Sequence, residues 1–199
     1  DAKIPVTVND RFHIGSDTKA MTALLASMMV EEGKLRWTST MGDVFLDFAE
    51  TMDPRLRSVT LEQLLSHTGG LPSDNEEVFR LYREAMSQEG NLNEMRSWLV
   101  GQWSKRPPGS EPGTAFAYSN LGYTIVGAMI ERVGGKTWDE LIRSRIFKPL
   151  KMKTAGLGPQ ASLGKMDAPL GHAVVDGKVQ VFLAGPNGDG PPIIGPAGI

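Results

Sequence analysis

Between Asp17 and Glu31 the chain carries one charge, Lys19, set among Ala20, Met21, Ala23, Leu24, Leu25, Ala26, Met28, Met29 and Val30. The run predicts a helix over 17–33 that stops at Gly33, a natural residue for the turn after a last helical position. A helix apolar over so much of its circumference needs partners, so it belongs to a packed domain. The 199 residues suffice for one domain with a real core or for two small ones. The lysine in the first turn is the residue this pattern does not explain.

Ser16 precedes Lys19 by three residues, which puts both on one face at the helix start. The first amides of a helix lack intrahelical partners and carry partial positive charge. A serine there can use backbone N–H groups as an oxyanion hole, the helix field for a developing alkoxide, and a neutral lysine as base. Apolar surroundings favour the neutral form of a lysine, which the run from Ala20 to Val30 would supply. The same residues also suit a structural role, with serine as N-cap and lysine extending to water. A second Ser-x-x-Lys, Ser162 to Lys165, lies in a glycine-containing loop with no apolar helix behind it.

Tyr118 and Asn120 form a Tyr-x-Asn at another predicted helix entrance, after the Pro/Gly-rich loop "KRPPGSEPGTAF". A phenol near a lysine can shuttle a proton, and an asparagine amide can orient the lysine and bind a substrate carbonyl. Thr60 with Gln63 and Thr137 with Glu140 have capping-box spacing at further helix starts. Helical periodicity continues through much of 60–150, over Asn75–Gln88, Asn93–Trp103 and a helix entered from Ser119 or Asn120 and closed at Gly134-Gly135. A short helix is expected at Met41–Ala49 and a strand around Arg11–Ile14. Residues 171–183 alternate about Asp176-Gly177, which predicts a β-hairpin. From Ala184 onward, glycine and proline dominate without periodicity.

Net charge is −2 with no basic block, which gives nucleic-acid binding no support. There is no cysteine for disulfide or thiolate chemistry, and no apolar run has membrane-spanning length. His13, His67 and His172 lack the spacing of paired metal ligands. "GGKT" at Gly134–Thr137 has Ile130 where a phosphate loop requires its first glycine. The start at Asp1 and the end at "GPAGI" suggest a fragment or a mature piece of a longer protein.

The stretches "RFHIGSDTKAMTA", "LEQLLSHTGGLP", "PGTAFAYSNLGYTIVGAMIERVGGKTWDELIRSRIFKPLKM" and "GPAGI" together resemble the serine β-lactamase and penicillin-binding-protein superfamily. The branch they are most similar to holds class C β-lactamases, family VIII esterases and D-alanyl-D-alanine peptidases. The resemblance implies an α/β (α+β) fold of the β-lactamase/transpeptidase type, here one partial domain over 1–199. It would comprise mostly the helical region with the nucleophile helix, its flanking strands largely missing. It also implies Ser16 as acylated nucleophile, Lys19 as its proton partner, Tyr118 as general base and acid, and Asn120 as holder of the substrate amide. The oxyanion hole would pair the Ser16 amide with one from a core strand. No cofactor or metal is implied. The implied partner is a β-lactam, D-amino-acid peptide or ester, and the usual location is periplasmic or secreted. An esterase with the same Ser/Lys/Tyr site and a non-catalytic or inactive truncated protein of this fold are the alternatives. The family's third motif, Lys-Thr-Gly or a His or Trp variant, lies on a strand C-terminal to this sequence. "KTW" at Lys136–Trp138 imitates it in the wrong order.

Overall fold

The computed structural model describes residues 5–162, 165, 167–182 and 190–198. A 3₁₀ turn, Gly15–Asp17, runs into α1, Thr18–Glu31. Then follow α2 (Met41–Val44), α3 (Pro54–Arg57), α4 (Leu61–Leu65), α5 (Glu76–Met86), α6 (Leu92–Trp103), α7 (Asn120–Gly134) and α8 (Trp138–Ile142). A π-helical turn, Arg143–Phe147, continues α8. β1 (Gly171–Val175) and β2 (Lys178–Phe182) pair antiparallel, and a terminal 3₁₀ segment spans Pro192–Ala197. The described residues are thus rich in helix and poor in strand, with one two-stranded sheet.

Side chains close most helix starts. Thr60 accepts from the Gln63 amide while the Gln63 side chain accepts from the Thr60 amide, and Thr137 and Glu140 form the same reciprocal pair. Thr40 with Asp43 and Asn91 with Glu94 add two capping boxes that the sequence reading missed, placing the α6 start at Leu92. Each box satisfies two donors that the helix backbone cannot. Ser119 caps α7, and Gly135 ends it in the left-handed conformation at φ 65°.

The most enclosed element is α7, buried continuously from Asn120 to Glu131. It packs against α1, α4, α6 and the terminal 3₁₀ segment. By contrast α1 buries one stripe, Thr18, Lys19, Thr22, Leu25, Ala26 and Met29, while Ala20 and Leu24 are exposed. The expectation of an apolar helix needing cover all round therefore applies to α7 more than to α1.

Two details depart from expectation. Residues 11–14 form no strand: apart from the hairpin, the bridge among the described residues joins Thr40 to Thr60. An extended segment becomes a strand only with a ladder partner, and Phe12 and Ile14 stay exposed. The Met41–Ala49 helix is a single turn, Met41–Val44. The hairpin turns at Asp176 and Gly177, both with positive φ as a two-residue turn requires, while Leu183 lies outside the described residues.

The Gly/Pro tail departs furthest, since its final part is core. Ile193, Ile194, Pro196 and Ala197 are buried. Gly127 of α7 makes this docking possible: a Cβ there would lie 2.3 Å from Pro196 Cγ. Gly198 is equally restricted, with φ 92° and a hypothetical Cβ 2.0 Å from the Gly15 carbonyl oxygen. The end of the chain thus rests on the turn that carries Ser16.

Arg96, fully buried on α6, ties the segment down. Its Nε donates to Ile193 O at 2.8 Å and its Nη2 to Pro192 O at 3.2 Å. Its Nη1 donates to Glu131 Oε1 at 2.5 Å, and Asp139 lies at 3.4 Å from Nη2. Glu131 Oε1 also accepts from the Trp138 amide, while its Oε2 has no partner among the described residues. Burial pushes the Glu131 carboxyl above its ordinary value, opposed by Arg96 and the Trp138 amide.

Candidate active site

Ser16, Lys19, Tyr118 and Asn120 come together at the junction of α1, α7 and the terminal segment. Lys19 is 6% exposed. Its Nζ donates to Ser16 Oγ at 3.0 Å, to Asn120 Oδ1 at 2.6 Å and to Ala197 O at 2.6 Å. An ammonium has three N–H bonds for these three oxygens. A neutral amine would keep two for the carbonyl oxygens of Asn120 and Ala197, which cannot donate, and turn its lone pair to the Ser16 hydroxyl. Both protonation states are therefore satisfied, and the valence that differs between them points at Ser16.

The sequence attributed the buried lysine to apolar helix surroundings. Lys19 is buried as expected, but its neighbours are oxygens and aromatic faces. Its Nζ lies 4.7 Å from the Tyr118 ring centroid and 5.4 Å from that of Tyr123. The head of Lys19 therefore sits in a polar and aromatic pocket, not against the apolar helix surface.

The Tyr118 hydroxyl lies 2.5 Å from Ser16 Oγ, and either oxygen can be the donor. The backbone around Tyr118 is held on both sides. The Ala117 amide donates to His67 O at 2.8 Å and the Ser119 amide to His67 Nδ1 at 3.1 Å. Ser73 Oγ donates to Tyr118 O at 2.6 Å. Tyr118 is 40% exposed as a residue, while its hydroxyl touches the serine. Asn120, the first residue of α7, accepts from Lys19 and donates from Nδ2 to Asp74 Oδ2 at 2.7 Å.

His67, Asp74, Tyr123 and the Ala197 carbonyl were not marked as site residues by sequence. The spacing of His67 speaks only to metal ligation, Tyr123 has no asparagine two residues on, and Asp74 sits in a loop without a pattern. The His67 ring packs on Tyr118 and Tyr123 with centroids 4.6 and 5.1 Å away. Burial lowers the His67 pKa below its ordinary 6.5, and the Lys19 charge adds to the fall. The Ser119 amide requires an unprotonated Nδ1, so the neutral imidazole is the form that holds the Tyr118 backbone. A depressed folded pKa means that the unfolded chain binds more protons, so this stabilisation is present above 6.5 and lost as pH falls through the folded value. Thermal stability and Ser16 reactivity should both decline on acidification below about 6.5. His67→Asn, which tolerates the φ of 60° found here and offers an oxygen acceptor, should flatten that acid limb. An unchanged limb in the variant, followed by calorimetry and single-turnover kinetics across pH, would assign the acid sensitivity to another group.

The other serine has no such surroundings. Ser162 is exposed and donates to Asp167 Oδ2 at 2.6 Å, with the Lys165 amide on its carbonyl. "KTW" lies at a helix start, where Thr137 is a cap and Trp138 Nε1 donates to Thr22 Oγ1 at 3.1 Å. The expected oxyanion donor from a core strand has no counterpart among the described residues, whose strands are the two of the hairpin. Those residues contain no cluster of His, Cys, Asp and Glu arranged to hold a metal, and no helix long and apolar enough to cross a membrane. A cavity of about 620 Å³ borders Gly15, Thr18 and Gly198, with Phe12, Met21, Ile142 and Phe147 among its walls. None of Ser16, Lys19, Tyr118 and Asn120 lines it, so it is a largely apolar hollow beside the serine turn, distinct from the four-residue cluster.

This chain is similar to Penicillin-binding protein 4 of Amycolatopsis lactamdurans, at 31% identity over 160 residues, covering 80% of this chain and 39% of that protein. It spans well under half the length of the curated relatives first matched. Its structure is similar to a penicillin binding protein from Bacillus halodurans, with TM-score 0.64 and 25% identity over 92% of this chain and 53% of that one. It is also similar to the Beta-lactamase/D-alanine Carboxypeptidase from Yersinia pestis, with TM-score 0.60 and 26% identity over 79% and 43%. The Beta-lactamase family profile matches residues 1–198. That span takes in every described residue, from the serine turn to the segment that closes on it, and the chain belongs to the Beta-lactamase family.

Proposed function

We propose that this chain carries the nucleophile and proton-transfer groups of an acyl-transfer hydrolase that opens amide bonds of β-lactams or D-amino-acid peptides through Ser16. The observation behind this reading is that Ser16 Oγ meets Lys19 Nζ and the Tyr118 hydroxyl at once, at 3.0 and 2.5 Å. Before attack, Lys19 and Tyr118 share one proton fewer than their fully protonated forms hold. The proton leaving Ser16 Oγ enters this pair as the oxygen bonds to the substrate carbonyl carbon. Collapse of the tetrahedral adduct breaks the C–N bond, and Tyr118 delivers the proton to the departing nitrogen. Water then cleaves the Ser16 ester, releasing the acid and restoring the hydroxyl.

An amide leaving group needs a proton more than an ester leaving group does. The contact of the Tyr118 hydroxyl with Ser16 Oγ therefore supports amide cleavage over an esterase with the same groups. The names of the Amycolatopsis and Yersinia relatives agree with that chemistry. The test is mass spectrometry after incubation with a labelled penicillin, a D-alanyl-D-alanine peptide and a nitrophenyl ester. An acyl group on the peptide containing Ser16 is expected from the penicillin. Labelling at Ser162, or ester-derived label alone, would overturn the reading.

A further inference from the structure

Asp74 lies beside this site in the loop between α4 and α5, half-buried. Its Oδ2 takes one N–H of the Asn120 amide at 2.7 Å, and its Oδ1 faces the Tyr82 hydroxyl at 3.5 Å. Both partners are neutral. The adjacent acids differ: Glu76 is paired with Arg83 at 3.0 Å and Glu77 with Arg106 at 2.9 Å. Among the described residues no cation pairs directly with Asp74. Three hydrogen bonds, Asp74 to Asn120 to Lys19 to Ser16, connect the carboxylate to the nucleophile. This places it within about 10 Å of the reacting oxygen.

Two consequences follow from this chain of contacts. A carboxylate only accepts, so Asp74 forces the NH₂ end of Asn120 toward itself and the oxygen toward Lys19. A flipped amide would turn donors against Lys19 and leave an oxygen facing a carboxylate. One N–H of Asn120 remains for a substrate carbonyl. A substrate held there would place its acyl group near an unneutralised negative charge on a partly desolvated rim.

We infer that Asp74 is a positioning and specificity residue: it locks the Asn120 amide, and its charge selects acyl groups bearing an ammonium over those bearing a carboxylate. The inference rests on the proposed Ser16 chemistry for where the acyl group lies, whereas the locking of Asn120 does not depend on turnover. The probes are β-alanyl, butyryl and hemisuccinyl nitrophenyl esters, which match in length and differ in charge. The wild-type protein should favour the cationic over the anionic ester by about tenfold in kcat/KM, and Asp74→Asn should reduce that ratio to about twofold. Asp74→Asn keeps an acceptor for Asn120, so its rate on the butyryl ester should fall less than that of Asp74→Ala. Asp74→Ala should lower kcat on all three.

Two measurements read the same claims without turnover. The side-chain amide resonances of Asn120 should change in Asp74→Ala and persist in Asp74→Asn. In the wild type they should respond saturably to β-alaninamide and not to succinamate. Equal charge preference in wild type and Asp74→Asn, or equal response to the two amides, would overturn the selectivity. Unchanged Asn120 resonances in Asp74→Ala would overturn the positioning. If no ester acylates Ser16 while the resonances behave as stated, the proposed reaction fails and the Asp74 assignment stands.

Discussion

Ser16→Ala should remove acyl transfer from this protein, with a loss of at least about 10⁴-fold in the acylation rate, and Lys19→Ala should cost nearly as much. In the proposed reaction the two residues act as a unit with Tyr118, because one proton would be exchanged among three touching groups. The losses should therefore not add, and the double variant should be no slower than Ser16→Ala alone. Lys19→Arg should not rescue. A guanidinium cannot serve as a neutral amine, and its planar fork does not match acceptors at Ser16, Asn120 and Ala197 arranged around one nitrogen. Single-turnover labelling with a fluorescent penicillin measures each rate. Acylation by Lys19→Ala within tenfold of wild type would mean that Lys19 is a structural tie between α1, α7 and the chain end. Near-normal circular dichroism in all variants would show that the losses are chemical.

The second large effect is expected far from the serine. Arg96→Ala should destabilise the fold by about 3–5 kcal/mol, because it leaves Glu131 buried without its cation. In a chain of this size such a loss lowers the melting temperature by roughly 10 °C or more. Glu131 Oε2 lacks a partner among the described residues, so without Arg96 the carboxyl would keep only the Trp138 amide as donor. The variant also frees the Pro192 and Ile193 carbonyls, which lie on the same short segment as the Ala197 oxygen bound by Lys19. Stability and reactivity can be separated by replacing both charges. Arg96→Met with Glu131→Leu removes the pair without stranding either member, and such exchanges are often neutral or stabilising. The double variant should recover most of the melting temperature, yet acylate more slowly than wild type because the carbonyls still lack their donor. If Arg96→Ala melts at the wild-type temperature, the buried pair does not hold the terminal segment. If the double variant acylates at the wild-type rate, that hold does not reach Lys19.

Several elements were legible in the chain because their causes are local. The α1 helix, the two capping boxes at Thr60 and Thr137, the Ser119 cap, the Gly135 stop and the Asp176-Gly177 turn each depend on residues within a few positions of one another. Ser16 and Lys19 share a face by helical spacing alone. The spacing of a serine and a lysine could not distinguish Ser16–Lys19 from Ser162–Lys165. What separates them is a set of oxygens contributed by residues 120 and 197, which only chain folding brings to the first pair.

The tertiary structure decided the rest for the same reason. A segment of Pro, Ile and Gly has no period to read, and Pro192–Ala197 becomes core only because Gly127 leaves room for Pro196 and Arg96 offers donors to its carbonyls. His67 and Asp74 acquire their roles through contacts with residues 119 and 120, which lie about 50 positions along the chain. Arg11–Ile14 had a strand-like pattern but no ladder partner among the described residues, and pairing is a property of two segments. The sequence by itself determined which backbone turns and helix ends form, since those energies are paid within one turn of chain. Which buried lysine faces which acceptors, and which tail closes on it, depended on packing between elements up to 178 residues apart.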